Sequence, residues 1–414
     1  GINLDYDRAA IEWTRDQGRV NLVVLGARIR DASGRTVVNA PKAAIDLAAA
    51  PFLQGRFVVR RITLVGVEFT LVHMKSGRIR LGSEKFTDNG EDIIARITDV
   101  IDSGGGDSSL ESFAVRDARV TIHDEITGLH VLAPRAGLMI RDKGDLLGAT
   151  FESDVEMSGR RSHVTADLTL PSGTGPVDGT VKVTGLDLRG LGANVAMFAG
   201  VRDIPMAISA SSTFRVTPGG MLGRADFDII AQGELPVAAM TGKALHVRRM
   251  RLVGRYDGAT RRVVLSDGSL DAREAKANLR GQADFLLGGD GGLEKIRAGL
   301  TADRIALDAP GLFKKPVSYQ SLEIAADYLT GPRRFEVSKL AVTARGFRFD
   351  ASGTLTLNEK GAPGIVAKGR IPALPVRTLL TYWPLPVAPG ARDWIDENIF
   401  AGEIGPLQAD VNFT

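Results

Sequence analysis

Apolar and polar residues alternate one by one over most of this chain, in short runs closed by glycine-bearing turns. Phe151, Val155 and Met157 alternate with Glu152, Asp154 and Glu156, and Val164, Leu168 and Leu170 alternate with Thr165, Asp167 and Thr169. Ile208 and Phe214 keep one parity, Phe227 and Ile229 alternate with Asp226 and Asp228, and Leu322 and Ile324 repeat the pattern. A period of two places successive side chains on opposite faces of a strand, so each run predicts one apolar and one polar face. The turns that separate the runs are Pro218-Gly219-Gly220, Asp257-Gly258, Asp267-Gly268 and Gly288-Gly289. These pairs suit tight hairpins because glycine accepts positive φ without steric cost. Glycine makes up 48 of the 414 residues, against roughly 7% in average proteins. No Gly-X-Y period accompanies it, so the excess belongs to turns and strands rather than to a collagen-like helix.

Helical signals are few. Residues 88–102 carry Ile93, Ile94, Ile97, Val100 and Ile101 on one helical stripe, with Asp88 or Asn89 able to cap it. Shorter candidates lie at 188–200, 376–382 and 391–400, the last two split by Pro384, Pro386 and Pro389. The length carries a prior of two to three domains, and composition suggests segments at 1–106, 107–370 and 371–414. The hydrophobic fraction of 44% supports a sizeable core.

Charge excludes several classes of partner. Lys plus Arg is 52 and Asp plus Glu is 49, a net of +3, too little for a nucleic-acid footprint. There is no cysteine, which excludes disulfides, thiolate nucleophiles and cysteine-based zinc sites and fits an oxidising compartment. The longest uncharged stretch, 378–391, has 14 residues and three prolines, whereas a membrane span needs about 20 apolar residues. The chain opens on Gly1 without a charged-then-apolar leader, and Val411-Asn412-Phe413-Thr414 stops inside an alternating run. We therefore expect an excerpt of a longer protein.

An internal repeat is visible. Adding 51 to Val59, Ile62, Leu64, Val67, Phe69, Leu71 and Gly77 gives Leu110, Phe113, Val115, Ala118, Val120, Ile122 and Gly128. The unit reads as a strand, a kink where the buried parity switches, and a second strand. A weaker copy at an offset of 278 runs through Val337, Leu340, Val342, Phe347 and Phe349 and fails at Arg345. Many such strands in one sheet must bury an apolar face by closing, folding over or curling. With no long helix to cover the sheet, a curled half-pipe with an apolar trough is the expected form. A long trough calls for a ligand or a lid.

Catalytic and metal-binding constellations are weak. His123-Asp124-Glu125 with His130 matches no standard metal spacing, and Ser162-His163 lacks a nucleophile elbow. Asp178-Gly179-Thr180 reads as a turn, and Gly288 to Gly292 lacks the Lys-Ser/Thr of a phosphate loop. Asp226 and Asp228 share one strand face, where solvation is the ordinary role. Aromatic ladders of the carbohydrate-binding type are missing, and Trp383 and Trp394 flank the prolines as a local mini-core or a plug. Rim candidates for holding phosphate are Arg60-Arg61, Arg160-Arg161, Arg248-Arg249 with Arg251, and Arg261-Arg262.

Several segments resemble the AsmA-like proteins of Gram-negative bacteria. At the start these are Trp13, Gly18-Arg19-Val20-Asn21-Leu22, Ile29-Arg30-Asp31-Ala32-Ser33-Gly34, Ala40-Pro41-Lys42 and Leu53-Gln54-Gly55-Arg56. The run Ile62-Thr63-Leu64-Val65-Gly66-Val67-Glu68-Phe69-Thr70-Leu71 with Gly77-Arg78-Ile79 continues the likeness. Near the end, Tyr382-Trp383-Pro384, Ala391-Arg392-Asp393-Trp394-Ile395 and Asn398-Ile399-Phe400-Ala401-Gly402 resemble the YhdP branch. The resemblance implies a relative of TamB and the bridge-like lipid transfer proteins, with a twisted β groove in the periplasm. It further implies an inner-membrane anchor, which this sequence lacks, and a role in carrying phospholipid to the outer membrane. It implies no catalytic residues.

The expectation is thus an all-β, elongated, twisted antiparallel sheet curled into a taco-like hydrophobic groove, with short helices as caps or plugs. Its expected activity is non-enzymatic: a periplasmic conduit for phospholipid acyl chains, acting at membranes with possible envelope protein partners and without cofactor, metal or nucleic acid. Parity assigns to the groove Val67, Phe69, Leu71, Val120, Ile122, Phe151, Val155, Met157, Val164, Leu168 and Leu170. It assigns likewise Ile208, Phe214, Phe227, Ile229, Leu322, Ile324, Phe347 and Phe349. The alternatives are a TamB-like assembly factor that templates β-rich clients at open sheet edges, and an envelope scaffold.

Overall fold

The computed structural model describes residues 3–14, 19–30, 36–56, 58–74, 79–81, 110–125, 128–171, 175–195, 201–218, 220–236, 244–289, 292–357 and 364–413. About 71% of them are in strands and 9% in helices, so the protein is all-β. Contacts divide the chain into two compact units, Gly1–Leu222 and Gly223–Thr414.

The first unit contains β1 (Asn3–Asp5), β2 (Arg8–Thr14), β3 (Arg19–Arg30), β4 (Thr36–Ala48), β5 (Val59–Val65), β6 (Glu68–His73) and β7 (Ile79–Leu81). It continues through β8 (Ser112–Asp124), β9 (Leu129–Asp142), β10 (Leu146–Met157), β11 (Arg160–Pro171), β12 (Val177–Asp187) and β13 (Met206–Val216). From β8 to β13 each strand pairs antiparallel with the next, as tight turns between alternating runs require. One turn is held by Asp142, whose Oδ1 accepts the Gly144 N–H at 2.7 Å.

The 51-residue repeat explains the parallel pairing among the described strands of the first unit. β5 and β6 both lie parallel to β8, with Ile62 opposite Phe113, Leu64 opposite Val115, Phe69 opposite Val120 and Leu71 opposite Ile122. Each pair differs by the repeat offset, so the first copy lies in register beside the second. Copies that run in the same direction can pair only in parallel. The kink recurs too: Gly66 has φ 73° and Asp117, its counterpart, has φ 50°. Gly66 N–H donates to Arg116 O at 3.0 Å, and Arg119 N–H donates to Val67 O at 2.8 Å, stitching the two kinks together. The more distant copy does not share this form. Its two strands, Arg334–Ala344 and Phe347–Thr356, pair antiparallel, because Arg345 and Gly346 make a hairpin turn where the others only bend.

The second unit contains β14 (Leu222–Pro236), β15 (Ala244–Asp257), β16 (Arg262–Ala272), β17 (Ala275–Leu287), β18 (Leu293–Leu307), β19 (Val317–Leu329) and β20 (Arg334–Ala344). It closes with β21 (Phe347–Thr356), β22 (Gly364–Ile371), the short pair β23 (Leu374–Pro375) and β24 (Glu403–Ile404), and β25 (Leu407–Phe413). Strands β14 to β22 form consecutive antiparallel pairs, and β25 pairs with β22. Among the described residues no ladder joins β25 to β14, so this is an open sheet and not a barrel.

Helices are short. Ala49–Leu53 follows β4, Leu188–Asn194 follows β12, and Val376–Tyr382 and Pro389–Asn398 lie between β23 and β24. The last begins two residues before its expected start because Pro389 sits in its first turn, where a missing N–H costs nothing. The helix expected at 88–102 lies outside the described residues, as do 196–200 of the second candidate.

Candidate functional site: two uncharged sheet faces

Residues paired across a ladder share a face, so the register converts local parity into a continuous surface. In the first unit one row runs Ile11, Leu22, Ile45, Ile62, Phe113, Ile140, Ala149, Leu168, Gly179 and Phe214. The adjacent row on the same face includes Leu64, Val115, Leu138, Phe151, Ala166 and Val181. In the second unit a row runs Phe227, Gly254, Leu265, Gly281, Leu300, Ile324, Leu340, Ala351, Gly369 and Ala409. Its neighbour runs Ile229, Leu252, Gly268, Leu279, Ala302, Leu322, Val342 and Phe349. None of these positions carries a charge.

The opposite face of the second unit is its electrostatic complement. Arg255 meets Asp226 at 2.6 Å, Arg251 meets Asp228 at 2.8 Å, and Lys295 meets Asp327 at 2.9 Å. Hydrogen bonds from these cations hold the carboxyls of Asp226, Asp228 and Asp327 below the usual carboxylate range. The arginine pairs picked out as phosphate holders mostly join this pattern. Arg61 faces Asp46, Arg160 faces Asp187, Arg248 faces Asp271 and Arg262 faces Asp284. Arg61, Arg248 and Arg262 are ion-paired among polar positions, away from the uncharged rows, whereas Arg160, opposite Met157, stands at the end of the first unit's apolar face.

Glycines shape the apolar surface. A Cβ on Gly179 would stand 2.5 Å from Phe214 Cζ and 2.7 Å from Leu168 Cδ2. A Cβ on Gly254 would meet Phe227 Cζ at 2.5 Å, and one on Gly369 would meet Phe349 Cε2 at 3.0 Å. Large side chains therefore lie across the glycine of the next strand, a contact that any larger residue would block.

The register places the parity-derived residues on these faces, with Val67 in the kink between β5 and β6 and Phe69 at the position opposite Val120. They divide by burial. Val67, Val120, Val155, Met157 and Phe347 are sealed in packing clusters. Leu71, Ile122, Phe151, Val164, Leu168, Leu170, Ile208, Phe214, Phe227, Ile229, Leu322, Ile324 and Phe349 are half-buried, the state that leaves surface for a ligand. Parity missed Leu252, Leu265, Leu279, Leu300 and Leu340. For Leu252, Leu265 and Leu340 the cause is a β-bulge, which shifts parity within a strand: Val263 and Leu265 share a face with Gly268 and Leu270 across a register shift. Leu279 and Leu300 lie in unbroken alternating runs that the parity reading left out. A polar pair interrupting the alternation, Ser266-Asp267 or Ser338-Lys339, is the sequence signal.

One end of each face is covered by a helix. In the first unit Leu191 of the Leu188–Asn194 helix packs with Val155, Met157, Val164 and Leu186. In the second, Leu374 and Leu379 close over Ala344 and Phe347, joined by Tyr319, Tyr382 and Trp383. Burial there, with Tyr382 alongside, pushes the Tyr319 hydroxyl up to about 12. Trp383 thus belongs to the covering layer, its Nε1 donating to Val387 O at 2.6 Å, whereas Trp394 is 60% exposed.

The weaker chemical candidates acquire definite places. Ser162 is buried and donates to Gly185 O at 3.3 Å, while His163 sits at the next position, on the other face, against Asp154 at 3.0 Å. Asp178 is held by both forks of Arg215 at 2.7 and 2.8 Å. The rings of His123 and His130 lie edge to face at 6.0 Å. Among the described residues no group of three or more His, Asp or Glu is placed to hold a metal ion, and no helix is long and apolar enough to cross a membrane. No family model matches this sequence, and no curated protein or solved structure matches it either.

Proposed function

We propose that the chain holds the acyl chains of phospholipid along these uncharged faces and works as part of a periplasmic conduit between inner and outer membranes. The observation that carries this reading is the ten-strand uncharged row in each unit, with large residues left half-buried. Soluble proteins rarely leave so much contiguous apolar surface without an occupant. Each methylene moved through water costs about 0.8 kcal/mol, so a 16-carbon chain left bare costs roughly 12 kcal/mol. Dispersion and hydrophobic contact remove most of that cost without requiring a fixed pose, which lets a chain slide. The ion-paired opposite face keeps the sheet wetted. The likeness to AsmA-like proteins supports the same reading.

Native mass spectrometry with lipid extraction, on protein purified without harsh detergent, tests it. Co-purifying phospholipid that is lost in Ile208→Asp and Phe151→Asp is the expected result. A soluble, lipid-free protein overturns the conduit and turns attention to protein clients at the sheet edges.

A further inference from the structure

The segment between β22 and β25 is an insert. Ile371 and Leu407, its two flanks, are direct partners in the β22–β25 ladder, so the chain leaves and re-enters the sheet at one point. Its two helices cover the end of the apolar face marked by Phe347, Tyr319 and Val317. Leu385 N–H ties it to Leu312 O at 2.8 Å, beside the buried Leu312 and Phe313.

Here three cations gather about Asp396 and Asp393. Asp396 Oδ2 meets Lys314 Nζ at 2.5 Å, and its Oδ1 meets Arg377 Nη1 at 2.8 Å. Arg392 brings Nη1 to 3.9 Å from the same carboxylate and 3.6 Å from Asp393. Lys314, Arg377 and Arg392 thus face Asp396 and Asp393, and Lys315 and Glu397 follow Lys314 and Asp396 in sequence. The Arg392 side chain is 3% exposed, and its Nε and Nη1 donate no hydrogen bond. Its Nη2 donates to Leu380 O at 3.4 Å and its Nη1 has only the long ion-pair contacts, so this buried guanidinium is incompletely satisfied and favours further negative charge nearby. Lys314 and Arg377, with side chains 57% and 49% exposed, give that acceptor a way in. Elsewhere on the sheet, arginines such as Arg215, Arg255 and Arg262 each close a short bond with a carboxylate of their own ladder.

We propose that Lys314, Arg377 and Arg392, grouped about Asp396, bind the phosphate of an anionic amphiphile whose acyl chains lie on the adjoining apolar face. This rests on the acyl-binding reading of that face and adds a headgroup preference to it. The phosphate is taken up by Lys314 and Arg377, loosening their hold on Asp396, while Arg392 supplies the buried positive charge beneath.

The test compares dihexanoyl phosphatidate, dihexanoylglycerol and inorganic phosphate by calorimetry on the full chain. The wild type is expected to prefer the phosphatidate over the neutral lipid by about tenfold, the size of two part-exposed charge contacts. Lys314→Gln with Arg377→Gln should bring that preference to within about twofold and leave dihexanoylglycerol binding unchanged. Asp396→Asn should act in the opposite direction and tighten phosphatidate binding, which a merely structural ion pair does not do. A preference that survives the double variant, or equal affinity for both lipids, overturns the site. Inorganic phosphate binding as tightly as phosphatidate overturns the headgroup assignment and leaves a free-anion site. Phosphate binding that depends on Lys314 and Arg377, with neither lipid bound, keeps the anion site and refutes the acyl reading instead.

Discussion

Replacing Leu300 by aspartate is the sharpest probe of the apolar face. Leu300 sits mid-strand in β18, between Gly281 and Ile324, and is 36% exposed. Complete burial of a leucine contributes about 1.5–3 kcal/mol, so the two-thirds burial here puts the cost to folding at about 1–2 kcal/mol. The new carboxylate keeps part of its hydration, because the position is one-third open to solvent in the free protein. A sheet of this size should lose only about 2–8 °C in Tm. Acyl binding is hit harder. A chain crossing Leu300 loses the burial of two or three methylenes, about 2 kcal/mol. It must also cover an ionised carboxylate, which costs several kcal/mol more. Together these predict a loss of affinity of about 1,000-fold. Gln282→Asp is the matched control, since Gln282 lies one strand away on the opposite face, between Val264 and Gly299. Lipid retention by native mass spectrometry, with circular dichroism as the check on folding, reads both variants. Equal lipid loss in the two, or full retention in Leu300→Asp, refutes the assignment of this face. Leu300 is a cleaner probe than Phe151, which packs against the buried cluster of Val24, Ala43, Val115 and Val120.

Two further outcomes follow from the backbone and from charge. Gly66→Val should lower stability by about 1–2 kcal/mol, because φ of 73° is left-handed, whereas Asp117→Gly at the equivalent kink should be neutral or stabilising; paired thermal melts check this. Glu274 opposes burial, which would raise its pKa, with hydrogen bonds from the His246 N–H, Arg273 and the His246 ring that bring it down to about 2. Its folded pKa is therefore depressed, so its contribution is complete above the ordinary value of 4.5 and is lost as the pH falls towards 2. Stability against pH should slope across that window in the wild type, and the slope should shrink in Glu274→Gln.

Alternation by itself determines that this chain is all-β and which side chains share a face within one unbroken run. Phe227 with Ile229, and Leu322 with Ile324, needed nothing more, because a two-residue period is a local property of the extended backbone. The repeat at 51 residues was equally legible, and so was the kink at Gly66 and Asp117. What the alternation did not contain was register. Whether Leu300 joins Ile324 and Leu340 in one row depends on pairings between strands and on bulges that move parity by a residue. The parallel docking of β5 and β6 on β8, and the hairpin at Arg345 where the copies elsewhere only bend, are pairings of the same non-local kind. The cluster of Lys314, Arg377, Arg392 and Asp396 goes further still. Its members lie up to 82 residues apart, and only the return of the insert to the sheet beside Leu312 brings their charges together. Local steric preference sets a strand's two faces, but the pairing of distant backbone groups decides which faces become one surface.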